Sequence, residues 1–346
     1  MKKGYLIFIL ISIFSVTAIL VILGFIFNKS EFEKQEGLAD VFDISSDGVI
    51  AYVSYEKGKP GVYFTKNDEK AFNNPVLQLD VEQEITDVDF SLDGSSLAYI
   101  ESKKDTDSEI ENTVYLLDME TLEKKLLFSE QALITEIEFD PKEKDELFYL
   151  RAGTFENYSP VARANPHDFD IFSYQLSKDK KRRHTKMKKY SMQSLQVSAS
   201  GNNVFVQMDD DVGANTAEDV FATKQRIFEV SLDQPESPTV VSKNDRNVDI
   251  YDFAMVPNKS AFIFQAVSTT NEEGTYEYEL FQYNWNDQKE TQLTHLKESA
   301  SNPVIGAGSE KVLFMVDRKF GETKADYHLY QMDLDGKNVE EIALDF

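Results

Sequence analysis

Carboxylates and aromatic residues gather in a few stretches of this chain, and their types bound the chemistry open to it. One stretch holds Asp105, Asp107, Glu109 and Glu111. A second holds Phe155, Tyr158, His167 and Asp168. A third runs from Asp209 through Asp210 and Asp211 to Gly213 and on to Glu218 and Asp219. A fourth has Glu272, Glu273, Tyr276 and Tyr278. Oxygen-rich loops can hold a hard cation, which takes about six to eight oxygen ligands. Paired carboxylates can do acid–base work. Carboxylates beside exposed aromatic rings can also grip a partner. The spacing does not fit an EF-hand loop, because Gly213 falls one place early and no Glu stands at the twelfth position. The four histidines, His167, His184, His295 and His328, show no paired spacing, and there is no cysteine. A zinc site would therefore need long-range assembly, and no metal or cofactor is expected. No G-x-S-x-G elbow marks a nucleophile. The candidate partner-binding residues are Asp107, Glu109, Phe155, Tyr158, His167, Asp168, Asp209, Asp210, Asp211 and Tyr276, with no catalytic assignment.

Overall charge narrows the partners. The chain has 61 acidic and 36 basic residues and a formal charge of −25, which works against nucleic acid. One basic run, Lys178 to Lys189, stands out, with Lys180, Lys181, Arg182 and Arg183 at its centre. It could attract phosphate-rich polymers or lipid phosphates. It also falls on an expected outer strand edge, where basic side chains block edge-to-edge pairing.

The elements that must position these loops read as strands. From Leu38 on, short runs rich in Val, Ile, Phe and Tyr alternate with polar residues and are separated by turns. The pattern repeats six times. In the second unit Ile85–Phe90 and Leu97–Ile100 flank the turn Ser91-Leu92-Asp93-Gly94, and in the third Ile134–Phe139 precedes Leu147–Leu150. The turns centre near residues 48, 94, 143, 201, 258 and 308. Third and fourth strands follow in each unit, and Asp335-Gly336 is a hairpin signal in the last. Four antiparallel strands in each of six units describe an all-β, six-bladed β-propeller. Its expected blades are about 38–80, 85–130, 133–188, 191–242, 248–296 and 300–346. The long insertions are nearly all links from second to third strands, so they crowd one rim, and loops on a rigid scaffold often carry function.

Before the propeller comes an N-terminal run, Tyr5 to Phe27, without a charged residue. As a helix it covers about 35 Å, enough to cross a bilayer core of about 30 Å. It is longer than a signal-peptide core and lacks a small-residue cleavage site. Residues 5–27 are thus expected to be one uncleaved transmembrane α-helix. Residues 1–4, with Lys2 and Lys3, would be cytoplasmic by the positive-inside rule. Residues 28–37 would be a short tether, and residues 38–346 the extracytoplasmic propeller.

The phrases from Phe90 to Tyr99, from Thr291 to His295, Asp317-Arg-Lys-Phe-Gly321 and Leu329 to Gly336 resemble the repeats of the TolB-like, or WD40-like PD40, propeller family. The resemblance spans Leu38 to Phe346, is strongest in the second and sixth units, and is degenerate in the third to fifth. It implies a propeller fold and allows both binding proteins and lyases. The expectation is a membrane-anchored, non-enzymatic binding or scaffold module for a protein or cell-envelope component. An extracytoplasmic glycan hydrolase or lyase using channel-mouth carboxylates such as Asp168 or Asp209 is one alternative. A sensor signalling through a membrane partner is another.

Overall fold

The structure, a computed structural model, describes residues 2–27, 29–66, 74–105, 110–153, 166–216, 218–219, 222–243 and 245–344. Helix α1 runs Lys2–Phe27 and is the one described helix long and apolar enough to cross a membrane. A 3-10 turn, Phe32–Lys34, follows it. Every other named element is a strand.

The strands pair mainly with their sequence neighbours, antiparallel, in groups of four. The first group is β1 (Gly37–Ile44), β2 (Val49–Glu56), β3 (Lys59–Lys66) and β4 (Leu77–Gln78). The second is β5 (Gln83–Phe90), β6 (Ser96–Lys103), β7 (Asn112–Asp118) and β8 (Lys124–Glu130). The third is β9 (Leu133–Phe139), β10 (Glu146–Gly153), β11 (His167–Gln175) and β12 (Lys180–Arg183). The fourth is β13 (Met192–Val197), β14 (Asn203–Asp209), β15 (Gln225–Ser231) and β16 (Thr239–Val240). β17 (Phe253–Met255), β18 (Ala261–Thr270), β19 (Tyr276–Asn284) and β20 (Lys289–Gln292) form the next set. β21 (Ser299–Val304), β22 (Lys311–Asp317), β23 (Tyr327–Asp333) and β24 (Glu340–Glu341) form the last. These two sets are joined by one parallel bridge between Tyr278 and Ser299.

Burial follows position in the sheet. The second strand of each set is almost wholly buried: Ala51, Tyr52 and Val53 on β2 and Leu97 to Ile100 on β6 have no exposed surface. Such a strand needs cover on both faces, and neighbouring sheets supply it. Val53 and Phe64 pack with Val88, Leu97 and Tyr99, and Phe148 and Leu150 pack with Leu195, Val204 and Val206. The first sheet also packs on the last, through Phe42, Ile50 and Tyr52 against Leu313, Met315 and Leu329. The fourth strands are the outer edges, of two to four residues except the seven-residue β8; β12 reads Lys-Lys-Arg-Arg, is exposed throughout and pairs with β11.

The first strands alternate, and their alternation is bulged. The register slips between Leu38 and Phe42, Ile85 and Asp87, Gln193 and Gln196, and Ser301 and Val304. Ser194 and Asn302 have left-handed backbone at these bulges, φ +57° and +48°. A bulge re-aims the side chains beside it, and here these include the polar Asp40, Thr86, Ser194 and Asn302.

The segment from Ser30 to Gln35 is not extended. Ser30 and Glu33 cap one another, Ser30 N–H donating to Glu33 Oε2 at 2.8 Å and Glu33 N–H to Ser30 Oγ at 3.2 Å, the reciprocal pattern of a capping box. The turn lies on the β2–β3 hairpin, where Gly58 N–H donates to the Gln35 carbonyl at 2.9 Å. Gly58 has φ +79°, and a Cβ there would lie 2.7 Å from Glu33 Cα. Lys104 closes the joint, donating to the Gly58 carbonyl at 2.6 Å with its ammonium 4.7 Å from the Tyr55 ring centroid.

Candidate functional site

Acidic side chains project from the first strands of the first three sheets, and their continuation is polar: Asp43 on β1, Asp87 and Asp89 on β5, Glu136 and Glu138 on β9, Gln196 on β13, Asp252 before β17 and Asn302 on β21. Apart from the single Tyr278–Ser299 bridge on β21, each first strand has one edge without a strand partner, so its N–H groups need acceptors. The neighbouring sheet provides them. Asp43 Oδ2 accepts from Phe90 N–H at 2.7 Å. Asp87 accepts from Ile137 N–H at 2.8 Å, and Asp89 from Phe139 N–H at 2.6 Å. Glu136 accepts from Ser194 N–H at 2.9 Å and Leu195 N–H at 2.6 Å. Gln196 Oε1 accepts from Met255 N–H at 3.4 Å, and Asp252 from Asn302 N–H at 3.3 Å. Asn302 in turn donates to the Asp40 carbonyl on β1 at 3.2 Å. Side chains thus stitch each first strand to the next where no ladder can form.

The same groups make an electrostatic well. A cavity of about 650 Å³ opens beside them, lined by Asp43, Asp89, Glu138 and Gln196 and by apolar Phe90, Phe139, Val197, Met255 and Val304. Its lip is made by the turns that join first to second strands, including Ser45, Ser91, Ser198 and Gly306, with Lys259 the one basic residue in its lining. Burial pushes Asp43 up to about 7, against the lowering effect of the Phe90 N–H bond. Burial likewise lifts Glu136 to about 7. Asp40 rises to about 8, by burial first and then by the negative charge of Asp252. Asp87, Asp89 and Glu138 are pushed well up by burial first and then by neighbouring carboxylates, Glu136 foremost for Asp87, Glu138 for Asp89 and Asp43 for Glu138. At neutral pH such a cluster holds protons as well as charge, and a cation in the cavity would displace the protons.

The candidate loop residues lie on the opposite rim, since links from second to third strands leave the far end of each antiparallel sheet. Asp107, Glu109, Phe155 and Tyr158 lie outside the described residues. His167 and Asp168 start β11, and Asp209 ends β14. These are brought together by the segment before β13: the His167 ring meets Tyr190 at a tilt, centroids 5.5 Å apart, Asp168 pairs with Lys188 at 3.7 Å, and Lys189 pairs with Asp211. Burial raises Asp209 above its ordinary range. Burial lowers the pKa of the Arg226 guanidinium, and the negative charges of Asp249 and Asp210 nearby partly offset this. Tyr276 belongs to a separate aromatic group, meeting Tyr278 at 6.4 Å, which in turn meets Tyr251 and Phe320 edge-on. Among the described residues no three His, Asp or Glu side chains converge to hold a metal ion.

The carboxylates on the first strands escaped the reading of the sequence. Their signal was present: the first strands of the second and third units end Asp87-Val-Asp89-Phe90 and Glu136-Ile-Glu138-Phe139, acidic at both alternate positions.

No family model matches the chain, and no curated protein matches it. Solved structures do. TolB from Acinetobacter baumannii is similar with a TM-score of 0.59 at 16% identity, over 84% of this chain and 62% of that one. The fold is a TolB-like β-propeller. This chain therefore spans about three fifths of the TolB chain it matches. The β-propeller domain of the Trilobed protease from Pyrococcus furiosus, with a TM-score of 0.51 at 13% identity, is matched over 90% of this chain and 85% of its own. Oligogalacturonate lyase from Vibrio parahaemolyticus has a TM-score of 0.54 at 12% identity, over 86% and 78%. Likeness at such identity concerns the fold, and the propeller scaffold hosts unrelated activities.

Proposed function

We propose that the chain is a membrane-anchored, extracytoplasmic propeller of six blades that binds a cationic segment of a protein or envelope component in its acidic cavity, without catalysing a reaction. The ring is closed by the packing of the first sheet on the last. Helix α1 is the anchor, with Lys2 and Lys3 on the cytoplasmic side. The observation that carries the reading is the convergence of Asp43, Asp89 and Glu138 on one apolar-walled cavity with a single lysine at its lip. Apolar walls and a few convergent polar groups are the usual make-up of a ligand site. A lysine or arginine side chain would meet charge at the floor and apolar contact along its stem. A photo-crosslinking residue in place of Ser198, at the lip, should label a basic protein segment in native membranes. Labelling that is indifferent to Asp89→Asn plus Glu138→Gln would contradict the site.

One observation favours an enzymatic alternative. Asp43, pushed up to about 7, is poised for proton transfer at neutral pH, and raised carboxylates in a cleft mark catalytic sites as well as structural ones. The hydrogen bond from Phe90 N–H to Asp43 argues for a structural role. Turnover of an acidic or neutral oligosaccharide that is abolished by Asp43→Asn would decide for a hydrolase or lyase.

A further inference from the structure

The cavity and the loop rim lie on opposite faces of the propeller, and the point where the chain enters decides which face meets the bilayer. β1 begins at Gly37 on the rim side, since the turn at its other end, Ser45 and Ser46, lines the cavity lip. The capped turn Phe32–Lys34 is fastened to the rim-side β2–β3 hairpin by the Gly58–Gln35 bond, and Lys104, bonded to the Gly58 carbonyl, lies 5.7 Å from the Phe32 ring centroid. Between the end of α1 at Phe27 and the capped Ser30 the chain spans three residues, at most about 11 Å. A helix crossing a bilayer can then hold only the rim against the surface.

The distribution of exposed rings points the same way. Among the described residues beyond α1, the exposed aromatic side chains are Tyr190 (72% exposed), Tyr276 (56%) and Phe320 (43%). All three lie in or beside rim-side links, as does Val212, the most exposed apolar residue, at 81%. The exposed apolar residues of the opposite face, Leu92, Leu122 and Val339, are all aliphatic. Tyrosine and other amphipathic rings prefer the headgroup level of a membrane.

We propose that the loop rim is the bilayer-facing surface, its Tyr190, Val212, Tyr276 and Phe320 seated among lipid headgroups, with the acidic cavity opening away from the membrane. This rests on α1 being a membrane anchor. The rim also carries Asp210, Asp211, Glu272 and Glu273, which anionic headgroups repel. The contact is therefore shallow, and the anchor, not the rings, supplies the attachment.

The test uses the full chain in phosphatidylcholine–phosphatidylglycerol vesicles that contain a headgroup-linked nitroxide quencher. The chain has no cysteine, so Val212→Cys and Leu122→Cys each take one fluorophore. The expected result is several-fold stronger quenching at position 212 than at 122, with the difference lost when a long glycine–serine insertion follows Lys29. A difference that survives the insertion overturns the tether as its cause. Equal or reversed quenching in vesicles that retain the protein through alkaline extraction overturns the orientation alone. Release by alkaline extraction overturns the anchor and the orientation with it.

Discussion

Asp89 serves two opposed demands. Its Oδ2 is the acceptor for the edge N–H of Phe139 at 2.6 Å, while burial and the charges of Glu138 and Asp43 penalise its ionised form. An amide keeps an acceptor oxygen and removes the charge. Asp89→Asn should therefore leave stability at pH 8 equal or raised. Asp89→Ala should lose about 1–3 kcal/mol, the cost of a buried donor left unpaired. Chemical denaturation of the two variants side by side checks this. The ring also sets a pH dependence. Asp40, Asp43 and Glu136 are raised in the folded chain to about 8, 7 and 7, so between pH 4 and 8 the folded state binds more protons than the unfolded state. Stability from these groups is then fully present at the acid end and falls as pH rises through that window. The melting temperature should be higher at pH 5 than at pH 8.5, and the Asp43→Asn, Asp89→Asn, Glu138→Gln triple variant should flatten the slope. The alternation Asp87-Val-Asp89 was visible in the sequence, but period-two alternation looks the same whether the polar side faces bulk water or an enclosed cavity. Burial of a carboxylate is a property of the packing of one sheet on the next, and no local pattern encodes it.

At the scale of elements, the strands and turns were legible because each is encoded locally. Ser91 to Gly94 and Asp335-Gly336 are tight turns, and Gly94 and Gly336 take φ +68° and +81°. The edge role of Lys180 to Arg183 was legible too, since four exposed basic residues suit an unpaired border. The docked turn after α1 was not. A polar stretch beginning Lys29-Ser30 reads as a tether, and its order comes from Gly58 and Lys104, residues far along the chain. Gly58 carries that joint twice over, by its left-handed backbone and by the space a Cβ would fill. Gly58→Val should cost about 1–2 kcal/mol from the left-handed backbone alone and unseat the turn. Limited proteolysis between Ser30 and Gly37 should accelerate in Gly58→Val; an unchanged cleavage rate would show that the joint does not hold the segment.

At the scale of the whole molecule, the features form a series: an apolar helix long enough to cross a bilayer, a short capped link, a rim with exposed rings, and an acidic cavity on the far face. The loops on the rim drew attention in the sequence because length and acidity are visible there. The cavity on the other face is assembled from single residues of different sheets, which is why a linear reading passed over it. The proposed recognition at the cavity and the proposed seating at the rim involve different residues, so each can be altered without the other. The most direct measurement is the affinity of the full chain, held in nanodiscs, for a lysine-rich peptide at physiological salt, where long-range attraction to the acidic surface is screened beyond about 8 Å. Binding to the unaltered chain is compared with binding to the triple variant Asp43→Asn, Asp89→Asn, Glu138→Gln and to the rim variant Asp210→Asn, Glu272→Gln, Glu273→Gln. The expected result is a loss of about tenfold or more, some 1.4 kcal/mol, in the cavity variant and little change in the rim variant. Equal losses in both, or none in the cavity variant, would contradict a cavity that recognises a cationic ligand.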